Sequence, residues 1–253
     1  MLLIHGGLGE AFQWAPLFPI LADKYRVLAV DRPGHGLADP FDYRGLDLFA
    51  FGARFIKEIL DALEVPKTAI VGNSMGGLWS VACAINYPER VSRLVLVGSP
   101  AGVQRSVPFM LRLGTVPVLR AAVKAGMSRP TREGVRNFWK LLVAHPERLE
   151  NDFLDLSVAS QLRNHPSWLS MVNRALDIRG MKPQMLLQDR WNTLATPTTL
   201  VWGELDAWSP AETGDAIAAA HPRIKMVRIP GAGHAPWFDD AAGVARAIDN
   251  ALS

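Results

Sequence analysis

The sequence has almost no cysteine. Cys83 is the only one among 253 residues, so an internal disulfide framework is excluded, and a lone thiol fits a reducing, cytoplasmic setting. Long apolar runs are missing as well. None reaches the roughly 18–20 residues that a membrane span requires, and no basic segment followed by an apolar one marks a signal peptide. Excess charge of one sign is small, since 27 Lys+Arg stand against 24 Asp+Glu for a net of +3. With no basic strip carrying interleaved aromatics, nucleic acid is not an expected partner. The six histidines are scattered without His-Glu-x-x-His or comparable spacing, and no phosphate-cradling glycine loop is found. Neither a metal nor an organic cofactor is therefore implied. Repeats and low-complexity tracts are also lacking. What remains is an ordinary globular composition, 49% hydrophobic and 20% charged, with a small-molecule substrate as the expected partner.

Short apolar runs recur along the chain. Leu2–Ile4, Arg26–Val30, Thr68–Val71, Leu94–Val97, Thr198–Val201 and Lys225–Ile229 are rich in Val, Ile and Leu and stop at Gly, Asp or Pro, which predicts strands. Several are apolar on both faces, as in a parallel sheet covered by helices. Helical spacing lies between them, over Ala11–Lys24, Leu46–Leu63, Met75–Tyr87 and Asp239–Leu252. This alternation predicts an α/β fold with right-handed crossovers.

The alternation stops at residues 104–190. This stretch is helix-like without a convincing strand, and rich in aromatics such as Phe109, Phe138, Trp139, Phe153, Trp168 and Trp191. It holds 14 Lys+Arg against 7 Asp+Glu, while the remainder holds 13 against 17. The expected organisation is an α/β core over residues 1–103 and 191–253, with residues 104–190 as an inserted helical lid.

The chemistry concentrates in a few loops. Gly72-Asn73-Ser74-Met75-Gly76-Gly77 follows a strand and precedes a helix, the context in which G-x-S-x-G presents a serine on a strained turn. Gly72 and Gly76 remove Cβ atoms that would clash there. A serine needs a base. Gly231-Ala232-Gly233-His234 follows the last strand, at the sheet edge where catalytic groups gather. The acid that orients His234 is expected after the preceding strand, in Trp202-Gly203-Glu204-Leu205-Asp206. Asp206 is favoured over Glu204 because it lies further into the loop, and Asp31 comes too early in the chain. An oxyanion requires two donors. One is the Met75 N–H, and the other is the Gly7 N–H, with Leu8 as the alternative. His5 is expected to be structural.

Taken together, His5-Gly6-Gly7, Asp31-Arg32-Pro33-Gly34-His35-Gly36, the Ser74 turn, Trp202–Asp206 and Gly231–His234 resemble the α/β-hydrolase superfamily in its order over nearly the whole chain. The resemblance implies a mostly parallel sheet flanked by helices, with a helical lid and a Ser74–His234–Asp206 triad. Dehalogenases and epoxide hydrolases of that fold carry Asp at the elbow, so Ser74 argues against both. The family's usual β-hairpin before the strand ending in His-Gly is missing. A misassigned start, a truncation or an edge covered by a partner would account for this, and the oligomeric state stays open, a homodimer included.

The elbow is also similar to that of the meta-cleavage-product hydrolases, which split a carbon–carbon bond. That resemblance implies substrate contacts for Asn73 and for Arg163 in Gln161-Leu162-Arg163. A basic lid would attract a small anionic substrate. Those enzymes have tryptophan directly after the histidine, whereas here Ala235 and Pro236 precede Trp237. Trp237 either lines the pocket or packs under the final helix. The expected function is a serine hydrolase, either a carboxylesterase or a carbon–carbon bond hydrolase. A cofactor-free perhydrolase or haloperoxidase and a non-enzymatic ligand receptor on the same fold are the alternatives.

Overall fold

The computed structural model describes residues 1–253, apart from the side chain of Met110. Six strands form one parallel sheet: β1 (Leu2–Ile4), β2 (Leu28–Val30), β3 (Thr68–Gly72), β4 (Val91–Val97), β5 (Thr198–Gly203) and β6 (Ile224–Ile229). Their spatial order is β2-β1-β3-β4-β5-β6. Leu2 lies level with both Leu28 and Ile70, and Leu96 with Leu200.

Side chains alternate across a strand, so each short apolar run feeds two cores. Leu2, Ile4 and Ile70 pack against α1 (Leu48–Ala62) and α2 (Ser74–Asn86) on one face. Leu3, Val71, Val95 and Val201 pack against α7 (Ala241–Leu252) and the aromatic pair Trp14–Trp237 on the other. Burial on both faces is why these strands read as continuous Val, Ile and Leu rather than as alternating sequence.

Helix α1 starts at Asp47, whose carboxylate accepts from the N–H groups of Phe49 and Ala50 at 2.9 and 3.2 Å. Its inward stripe runs through Leu48, Ala53, Ile56 and Leu60. Gly52 on the same stripe lets the Trp79 ring of α2 pack flat against it. In α2 every residue from Ser74 to Ala84 is buried, because the helix is sandwiched between α1 and the sheet.

Two expectations are corrected. The helix expected over Ala11–Lys24 is a 3-10 turn at Ala11–Leu17 followed by one α-turn at Phe18–Leu21. Pro16 and Pro19 lack the N–H groups a longer helix would use. Within residues 104–190 a two-residue hairpin, Leu176–Asp177 with Gly180–Met181, interrupts the helices. Gly180 turns it at a φ of 115°. Otherwise that stretch is helical, with α3 (Pro117–Met127), α4 (Arg132–Trp139) and α5 (Asn151–Ala175). It extends both cores: Met171, Ala175 and Met181 join one, and Val135, Trp139 and Leu154 the other. Helix α6 (Ala211–Ala220) covers the sheet between β5 and β6. Among the described residues no helix is long and apolar enough to cross a membrane.

Gly76 is where α2 meets β1 most closely. A Cβ there would lie 2.2 Å from the Ile4 carbonyl oxygen and 2.4 Å from that of His5. Backbone cannot swing aside as a side chain can, so Gly76→Ala is expected to cost about 2 kcal/mol or more. Gly126→Ala, in α3, meets nothing within 4 Å and is expected to stabilise by about 0.5 kcal/mol through helix propensity. Urea unfolding of the two variants checks the contrast.

Candidate active site

Ser74 is the first residue of α2, just past the end of β3, with φ of 49°, one of two non-glycine residues in the left-handed region among the described residues. A serine holds that conformation only where its surroundings impose it. Here Asn73 and the glycines at 72 and 76 impose it. The Asn73 N–H donates to the Ile4 carbonyl at 3.0 Å. Its side-chain amide donates to the carbonyls of Val97 and His234, at 2.7 and 3.2 Å. A Cβ on Gly72 would lie 2.4 Å from Ser80 Oγ.

His234 and Asp206 meet in the interior. His234 Nδ1 lies 2.9 Å from Asp206 Oδ2 and 3.1 Å from Oδ1. The Asp206 carboxylate also accepts from the N–H groups of Ser99 at 3.0 Å and Trp208 at 2.8 Å. Burial alone would raise this carboxyl. The charge and hydrogen bond of His234, with the backbone donors of Ser99 and Trp208, outweigh burial and hold it below the ordinary 3.8. Glu204, the rival carboxylate, is exposed. Ser74 and His234 line one cavity and share no hydrogen bond in this structure.

Two neighbours escaped the sequence reading. Ser99 Oγ lies 3.1 Å from His234 Nδ1, and the Trp208 ring stacks on the imidazole with centroids 5.0 Å apart. The signal for Ser99 was its place after β4, on the same edge as Ser74, Asp206 and His234. Gly98 before it, at φ of 71°, passes so close to His234 that a Cβ would lie 2.0 Å from the histidine carbonyl.

The loop after β1 faces Ser74. Arg32, wholly buried, donates to the Gly6 and Gly7 carbonyls at 2.5 and 3.1 Å. Its own backbone N–H donates to His5 Nε2 at 3.0 Å, so the His5 proton sits on Nδ1 and reaches the Gly6 carbonyl. Burial, with the Arg32 charge beside it, pushes His5 well below the ordinary imidazole value, so the ring is neutral. His5 is thus part of the scaffold. With these carbonyls tied back, Gly7 and Met75 both line the cavity at Ser74, and the N–H of neither donates to a partner among the described residues.

The cavity is lined mostly by Leu, Val, Met, Phe, Trp, Ala and Gly, with Gln13, Asn73, Ser74 and His234 as its polar members. Trp237 contributes to the wall and belongs to the core cluster that holds Val244 and Ile248 of α7, while its Nε1 donates to the Gln13 carbonyl at 2.7 Å. Asn73 borders the cavity, but its amide nitrogen is spent on backbone. Arg163 is not brought to the site. It lies on the exposed side of α5, 3.9 Å from Asp39, because Asn164, Trp168 and Met171 occupy the inward stripe. The basic excess of residues 104–190 is used elsewhere as well. Arg112, Arg136 and Lys182 donate to backbone carbonyls, and Arg132 pairs with Asp155.

The sequence pattern of the alpha/beta hydrolase family matches residues 1–247. The chain belongs to that family. It is an α/β-fold hydrolase. A 2-hydroxy-6-oxononadienedioate/2-hydroxy-6-oxononatrienedioate hydrolase of Cupriavidus pinatubonensis is 27% identical over 255 residues, covering 98% of this chain and 84% of that one. A meta-cleavage product hydrolase from Pseudomonas fluorescens, solved as a serine-to-alanine mutant with acetates, superposes with a TM-score of 0.79 at 25% identity. That match covers 99% of this hydrolase and 89% of the other chain. A thermophilic esterase from Thermogutta terrifontis shares the fold, with a TM-score of 0.76 at 24% identity over 99% and 88% of the two chains.

Asp206→Asn is expected to lower folding stability at neutral pH. A carboxyl depressed on folding contributes fully above its ordinary 3.8 and loses that contribution as pH falls through the folded value. The stability gap between parent and variant therefore closes in acid. Urea midpoints at about pH 7 and about pH 3 test this, and a gap that ignores pH would contradict it.

Proposed function

We propose that this hydrolase is a serine hydrolase in which Ser74 is the nucleophile, His234 the base and Asp206 the group that orients it. The observation that carries the reading is the buried His234–Asp206 pair beside a serine held in the left-handed region on the wall of one cavity. Ser74 Oγ attacks an ester carbonyl while His234 Nε2 takes its proton. Asp206 fixes the tautomer and stabilises the imidazolium. The Gly7 and Met75 N–H groups receive the oxyanion, and losing one such donor costs about 3 kcal/mol of barrier. The leaving alcohol takes the proton back from His234, and water repeats both steps on the acyl-enzyme. Residues 104–190 serve as the lid that shuts the cavity from solvent.

For the substrate we favour a neutral ester with an apolar arm. No Lys or Arg lines the cavity at Ser74 among the described residues, and Arg163 faces away from it. An anionic group would lose its hydration there without gaining a partner. The carbon–carbon reading rests on the relative from Cupriavidus and on Asn73 at the elbow. One pair of assays separates the two: a short p-nitrophenyl ester and a 2-hydroxy-6-oxo-dienoate, each with the parent and Ser74→Ala. Preference for the ester supports the first reading, and preference for the dienoate replaces it with the second.

Ser74→Ala and His234→Ala are each expected to lose turnover by a factor of about 1,000 or more while remaining folded. A fluorophosphonate probe should label the parent and leave Ser74→Ala unlabelled. Full activity in either variant would remove the triad. Arg163→Ala is expected to keep kcat/KM within about twofold, as an exposed arginine away from the cavity should.

A further inference from the structure

Residues 141–145 follow α4 as a strap that runs beside the loop carrying His234. The two backbones touch. The Ala235 N–H donates to the Leu142 carbonyl at 2.6 Å. A Cβ on Gly233 would lie 2.8 Å from that same carbonyl oxygen and 3.0 Å from Val143 Cα. Val143 is buried in the core that also holds Trp237 and Val244. The Trp208 ring, stacked on the imidazole, donates from Nε1 to the Leu141 carbonyl at 2.9 Å.

Asp239 joins the two backbones a second time. It ends the short helical turn Pro236–Asp239 that follows the histidine, and it is half-buried. Its carboxylate accepts from the strap, through the N–H groups of Ala144 and His145, both at 3.0 Å. It also accepts from the histidine loop, through the N–H of Gly233 at 2.9 Å. Gly233 is thus held by Asp239 and Ala235 by Leu142, so the residues on both sides of His234 are tied to the strap. Asp239 itself is not among the residues that line the cavity at Ser74.

We propose that Asp239 is a positioning residue for His234, which it holds in place by clamping the strap 141–145 to the histidine loop. The proposal rests on His234 as the base. Displacing a catalytic group by about 1 Å can cost about 100-fold in rate, and a carboxylate that gathers backbone donors from two segments restrains such a shift. Asn is a poor replacement, because an amide has one acceptor oxygen and its NH2 would face an N–H group. The strap cannot lift without moving His234, so this end of the lid stays down while the base is in place.

The experiment measures hydrolysis of a short p-nitrophenyl ester by the parent, Asp239→Asn, His234→Ala and the double variant, each shown to be folded by circular dichroism. Asp239→Asn is expected to lower kcat about tenfold or more and to leave KM within about twofold. In the His234→Ala background the same substitution should change residual turnover by less than about twofold, since a residue that acts through His234 has nothing left to position. A role in general stability would lower turnover in both backgrounds alike. That result, or full kcat in Asp239→Asn, would overturn the proposal. If Asp239→Asn fails to fold, Gly233→Ala takes its place, because its Cβ would push the strap off the loop with Asp239 intact. It should show the same dependence on His234, and equal losses in both backgrounds would again overturn the clamp. Full activity in His234→Ala alone would instead remove the base, so a failure of the triad and a failure of the clamp are told apart.

Discussion

The contact between α2 and the end of β1 is the constraint on which the site depends. Gly76 lies against the carbonyls of Ile4 and His5 with no room for a Cβ. That approach carries Ser74 to the loop at Gly6 and Gly7, so the proposed nucleophile and its proposed oxyanion donors come from two elements pressed together. The positive φ of Ser74 is tolerable because helix α2, buried between α1 and the sheet, cannot relax it away.

Around this contact the polar groups are tied down in layers. Asn73 fastens the elbow to β4 and to the His234 loop. Arg32 and His5 hold the carbonyls of Gly6 and Gly7, two residues that line the cavity. Asp206 is surrounded by donors and stays ionised although it is buried. Such satisfied networks hold geometry rigidly in an interior of low dielectric. Glu10 is the contrast: burial pushes its carboxyl up to about 8 against the smaller opposing effect of Ser160, so it holds its proton at neutral pH.

The segment between β4 and β5 is therefore more than cover. It completes both hydrophobic cores and supplies part of the wall of the cavity at Ser74, while its basic side chains serve carbonyls and surface pairs. An excess of positive charge in a sequence says nothing about direction. Each arginine reaches whatever acceptor its own helix turn presents, as Arg163 reaches Asp39.

Much of the fold was legible locally. Strands buried on both faces announce themselves as short runs of Val, Ile and Leu, and the serine, acid and histidine each follow such a run. Strand ends moved by only a few residues: the fourth strand begins earlier, at Val91, which pairs with Thr68, and the second begins later, at Leu28. The helix expected at Ala11–Lys24 failed because apolar spacing was weighed above Pro16 and Pro19. Ser99 and Trp208 were invisible, since their relation to His234 exists only across the sheet. Glu10 was equally silent: nothing in its neighbours tells that it is buried. Sequence by itself determined the strand–helix order, the elbow and the chain order of serine, acid and histidine, because these depend on residue type and local spacing. Tertiary structure alone decided which side chains besides Asp206 meet His234, which way Arg163 faces and where polar atoms are left without partners. Those depend on packing between elements far apart in the chain.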